Sequence, residues 1–73
     1  MIFLTGEIPK GAVDGFNTVF TLAHKPIAWS LAVFQEGARL LLGEDYFLSG
    51  NTITFIIPPE PFDLLQADYR HQA

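Results

Sequence analysis

Gly50-Asn51-Thr52-Ile53-Thr54-Phe55-Ile56-Ile57-Pro58-Pro59 carries the clearest pattern in this chain. Thr52 and Thr54 alternate with Ile53, Phe55 and Ile57, a period of two that belongs to a half-buried strand. Gly50-Asn51 before it supplies a turn, and two prolines after it end the ladder. The same punctuation recurs outward in both directions. Gly6, Pro9, Gly11, Gly15, Pro26, Gly37, Gly43 and Pro61 leave almost no window long enough for a helix. Short apolar runs between such breakers predict an all-β fold: a small antiparallel β-sandwich or partly open barrel of about six short strands. The strands are expected over residues 2–5, 18–22, 31–36, 38–42, 52–57 and 64–70, the fourth extending past Gly43 toward residues 45–48. Residues 28–35 have some helical propensity, but the window is short and its Val33-Phe34 centre favours strand. Alternation predicts a core of Phe20, Leu22, Leu31, Val33, Tyr46, Ile53, Phe55 and Tyr69, with Leu65 and Ala67 also inward.

The turns have their own chemistry. Glu36-Gly37 is a two-residue hairpin signal, with glycine supplying positive φ. Asp14-Gly15-Phe16-Asn17 reads as an Asx-type turn leading into the second strand. Pro58-Pro59-Glu60-Pro61 can join neither ladder nor helix and reads as a stiff connector.

At 73 residues the chain is expected to form one domain over 1–73. So small a domain buries only ~60% of its unfolded surface and usually needs help from disulfides, metal or oligomerisation. There is no cysteine. Hydrophobic residues make up 49% of the chain and charged residues 16%, against roughly 25% charged in an ordinary domain. Apolar surface in excess of what a small core can hold points to interfaces, and to a homo-oligomer. The net charge of −4 argues against nucleic acid and against anionic membrane surfaces as partners. No apolar run approaches the ~20 residues of a membrane span. The opening residues lack a signal-peptide pattern, so synthesis in the cytoplasm is expected.

Chemistry is hard to find. His24 and His71 sit in no nucleophile motif and read as solvated residues, His71 near a fraying terminus. Glu44, Asp45, Asp14, Asn17, Asp63 and Asp68 could offer oxygens to a cation, but they lack a ligand-loop spacing and read as turn and strand-end carboxylates. No enzymatic activity, metal or cofactor is expected. The candidate functional residues are apolar ones that the core cannot take. Phe16 and Phe62 lie in turns or connectors, and Trp29 lies in the loop before the third strand. Leu41 and Ile56 are expected on strand faces opposite their core-facing neighbours.

A longer pattern joins these pieces. It runs from Asp14-Gly15-Phe16-Asn17-Thr18-Val19-Phe20-Thr21-Leu22 to Gly43-Glu44-Asp45-Tyr46, Gly50-Asn51-Thr52-Ile53-Thr54-Phe55, Pro58-Pro59 and Tyr69-Arg70. Over about residues 13–70 it resembles a small β module of tailed-bacteriophage virion proteins, found alone or inside tail-fibre, spike or head-associated proteins. The resemblance implies a structural role in the virion and contacts with other virion proteins. It carries over no catalytic residue. Two departures stand out. Glu36-Gly37 replaces the commoner Asn-Gly, and Leu40-Leu41-Leu42 run consecutively, which in a half-buried strand turns the middle leucine outward. The alternative from the residues is a carbohydrate-binding module using Trp29 and tyrosines as a platform for host glycans.

Overall fold

The computed structural model describes residues 1–72. Two antiparallel sheets pack face to face as a sandwich. The first has the order β1-β7-β3-β4, built from Ile2–Glu7, Leu65–His71, Ala32–Gln35 and Ala38–Arg39. The second has the order β2-β6-β5, built from Val19–Thr21, Thr52–Phe55 and Tyr46–Ser49. Apart from a single 3-10 turn over Ala28–Ser30, the described chain is strands and their connections.

Seven strands replace the expected six, because the fourth run breaks in two. β4 ends at Arg39, and β5 begins at Tyr46 in the other sheet. Gly43 and the unalternating leucines give no inside and outside to a continuous strand. Instead Asp45 folds the segment into a turn. Its backbone N–H donates to the Leu41 carbonyl at 2.8 Å, and its Oδ2 accepts from the Leu41 N–H at 2.7 Å. Leu41 is therefore a turn residue, not the outer face of a strand. β6 likewise stops at Phe55, so Ile56 leaves the ladder before reaching a strand face.

The core is Phe20, Leu22, Leu31, Val33, Tyr46, Ile53, Phe55, Leu65, Ala67 and Tyr69, all buried. Alternation explains it: the rows Phe20–Ile53–Leu48 and Tyr46–Phe55 point in from one sheet, Val33–Ala67 and Leu4–Tyr69 from the other. The Phe20 and Phe55 rings meet edge to face at 5.4 Å, a geometry that aromatic quadrupoles favour. Gly11 lies flat on this cluster. A Cβ there would sit 2.5 Å from Phe20 Cδ2, so only glycine lets the loop close over the ring.

Both two-residue hairpins form where expected. Gln35 pairs with Ala38 across Glu36-Gly37, whose φ values of 51° and 81° are those of a type I′ turn. Ser49 pairs with Thr52 across Gly50-Asn51. The Asx turn also forms, with Asp14 Oδ1 accepting from the Phe16 and Asn17 N–H groups at 2.9 and 2.8 Å. These donors hold the Asp14 carboxyl below its usual range.

β1 runs past Thr5 to Glu7 through a bulge, since Leu4 faces Tyr69 but Glu7 faces Ala67. Two residues, Thr5 and Gly6, thus oppose Asp68 alone. The Gly6 N–H donates to Asp68 Oδ1 at 2.7 Å.

Candidate docking surface

The bulge in β1 shifts the alternation by one and turns Glu7 inward. There its carboxylate accepts hydrogen bonds from the Tyr69 hydroxyl and, at 2.8 Å, from the Ala23 N–H. The His24 N–H donates to the Tyr69 oxygen at 3.3 Å. Burial first, then the bond to Glu7, pushes the Tyr69 hydroxyl up to about 12. Glu7 thus ties the β2–β3 connection to the first sheet.

His71 is a correction to the sequence reading. It ends β7 instead of fraying, it is 5% exposed, and its ring stacks on His24 at 3.9 Å and 1°. His24 remains exposed on one side of that stack. Two histidines far apart in sequence gave no sign of meeting. Among the described residues no three His, Asp or Glu side chains gather as a metal site would require.

The apolar surface is the more telling feature. Phe16, Trp29, Leu41, Ile56 and Phe62 are all exposed, on three different supports. Leu41 and Ile56 both hang from Asp45, whose carbonyl accepts from the Ile56 N–H at 3.0 Å. Leu42 and Ile57 beside them are exposed as well. Ile56 and Ile57 line a small cleft of about 170 Å³ with Leu40, Phe55, Gln35 and Asp45.

Phe16 and Phe62 sit in loops joined where the Gly15 N–H donates to the Pro59 carbonyl at 2.9 Å. Pro59 is buried, and Asp63 closes the second loop by accepting from the Glu60 N–H at 2.9 Å. Phe62 itself is 99% exposed and holds a φ of 72°. An L-residue with a bulky side chain is strained there by roughly 1–2 kcal/mol.

Trp29 stands on the outer face of the first sheet. The Arg70 guanidinium lies 5.6 Å from its ring and 5.5 Å from the Phe3 ring, within cation–π range of both. The Arg70 backbone is pinned as well: its N–H donates to Ser30 Oγ at 2.8 Å, and its carbonyl accepts from the Ile27 N–H at 2.7 Å. Phe3, Ile8, Leu42 and Ile57 are exposed apolar residues that sequence reasoning missed. The short limits of β4 and β6 expose the leucine and isoleucine, and those limits follow from Gly43 and Pro58.

A second cleft, of about 430 Å³, opens between the ends of β1 and β2. Leu4, Ile8, Leu22 and Ala23 line it, with Glu7 and Lys10 at its rim. Comparisons with protein-family models, curated proteins and solved structures find no match for this chain.

Proposed function

We propose that the chain is a non-enzymatic structural component of a tailed-bacteriophage virion. It serves at a capsid-decorating, head-fibre, neck or tail-fibre-base position and docks onto other virion proteins through apolar contacts. Phe62 is the observation that carries the docking part. The fold gains nothing from an aromatic ring fully in water, and glycine or asparagine would suit its backbone better. A residue that is both strained and exposed is explained by what it meets outside the chain. Phe16, Leu41, Leu42, Ile56 and Ile57 are further apolar side chains left exposed, and exposed apolar surface on a small domain points to an interface.

The virion assignment rests on the sequence resemblance. Its residues build the frame of the fold: Asp14 and Asn17 make a turn, Gly50 and Asn51 make a hairpin, and Phe20, Tyr46, Ile53 and Phe55 fill the core. The test is mass spectrometry of particles purified from the phage that encodes the chain. The proposal expects the chain at a fixed stoichiometry to the major capsid or tail protein. Its absence from particles, with the chain present in the lysate, would refute the assignment. Glycan binding is less well supported, because Tyr46 and Tyr69 are buried in the core and cannot share an exposed platform with Trp29.

A further inference from the structure

A sandwich of two open sheets has four edge strands, and three of these edges are guarded. β4 is only two residues long, and short edges resist pairing. β2 is capped by Lys10, which exchanges two backbone hydrogen bonds with Thr21 at 2.8 and 2.9 Å. β5 is partly covered by the turn before it, where Leu42 bridges Tyr46 and the Gly43 N–H donates to the Tyr46 carbonyl. β1 differs. It is six residues long, lies at the end of its sheet and, among the described residues, pairs only with β7. The bulge and the inward Glu7 guard its far end, but before the bulge it reads Ile2-Phe3-Leu4-Thr5, with no Lys, Pro or charge.

We propose that this edge pairs antiparallel with β1 of a second copy, Phe3 opposite Phe3 of that copy, making one continuous eight-stranded sheet. The inference rests on the docking reading and names one of its partners. The register follows from the pleat. Phe3 is on the outer face and Leu4 on the inner, so the two-fold must set like faces against each other. With Phe3 on the axis, Ile2 meets Leu4 of the second copy and every exposed apolar side chain of the edge gains an apolar neighbour. With Leu4 on the axis, Phe3 would face threonine and Ile2 would face glycine. Pairing stops at the bulge, which bends the strand after Thr5.

Local charge does not oppose a second copy here. Two molecules of net charge −4 repel in general, but residues 2–6 of this edge carry no charge. The nearby carboxylates are engaged within the fold, Glu7 by Tyr69 and Ala23, Asp68 by Gly6. The charge beside the axis is Arg70, held between Phe3 and Trp29. A standard interface takes roughly 800 Å² from each partner and weak ones less. The chain exposes 4522 Å² in all, so a strip of one strand and its flanks gives a small interface. The expected dimer is a micromolar one.

The chain has no cysteine of its own, so single-cysteine variants report the register. Phe3→Cys, Ile2→Cys and Thr5→Cys would be oxidised mildly at micromolar concentration. Directly opposed residues on paired strands have Cβ atoms ~4.5–5.5 Å apart, and diagonal ones lie farther. Phe3→Cys should therefore cross-link at least tenfold faster than either neighbour. Equal rates for all three would overturn the pairing. A companion measurement needs no substitution: amide exchange of residues 2–5 in the unaltered chain should slow as concentration rises. Concentration-independent exchange there would likewise overturn the proposal. If the chain nonetheless appears in particles at fixed stoichiometry, the docking reading stands and only its self-pairing falls.

Discussion

Tyr69 and Glu7 show how a single residue's setting becomes a property of the whole fold. Free tyrosine ionises near 10, whereas Tyr69 keeps its proton to about 12. Below pH 10 both folded and unfolded chains are protonated, and the stabilisation is complete. Between pH 10 and 12 the unfolded chain loses its proton first, so stability falls as pH rises. Tyr46, raised mainly by burial, acts in the same direction. Urea midpoints at pH 9 and pH 11.5 should therefore drop steeply in the natural chain and less so in Tyr69→Phe. Equal drops would mean that the Tyr69 hydroxyl is not held as described. Phe62 makes the opposite kind of prediction. Phe62→Gly removes a strained φ and an exposed ring, so the isolated chain should lose no stability and gain up to ~1 kcal/mol. A loss of more than ~1 kcal/mol on thermal or urea unfolding would show that the ring serves the fold.

Elements were legible in the sequence where pattern and turn chemistry agreed. β6 and β7 alternate cleanly, and the hairpin at Glu36-Gly37 forms where its residues place it. The glutamate that replaces the commoner asparagine has a use the sequence could not reveal. Its N–H donates to the Leu64 carbonyl at 2.9 Å, and its carboxylate accepts from the Leu64 N–H. The β3–β4 hairpin is thereby fastened to the start of β7. Gly37, at φ 81°, has open space where a Cβ would go. Gly37→Ala should thus cost only the backbone term, about 1 kcal/mol, read as a shift in the urea midpoint. No change would argue against the I′ turn. The misplaced fourth strand has a physical cause too. Three consecutive leucines satisfy neither face of a sheet, so hydropathy continues there while pairing cannot. The β1 bulge did have a local sign, a glycine inside a strand-like run. Its effect on Glu7 depended on Tyr69, which lies near the other end of the chain.

At the scale of the molecule, a core of ten side chains holds together a fold with a large apolar exterior. Every core residue expected from alternation is buried, because strand periodicity is a local property. The residues proposed for docking were recognised only as apolar residues without a place inside. Their supports, Asp45, Pro59 and Arg70, come from tertiary contacts that no spacing encodes. Phe55, 3% exposed, packs against both Phe20 and Tyr46 in the core. Phe55→Ala should cost ~3–5 kcal/mol, a large share of what so small a domain possesses. A loss under ~1 kcal/mol on urea unfolding would contradict the packing. In the working assembly the apolar exterior is proposed to be covered by neighbouring proteins. Hydroxyl-radical footprinting of the chain in purified particles, compared with the isolated chain, tests it most directly. Phe16, Trp29 and Phe62, all exposed in the isolated chain, are expected to fall in reactivity at least fivefold in the particle. Unchanged reactivity at all three would contradict it.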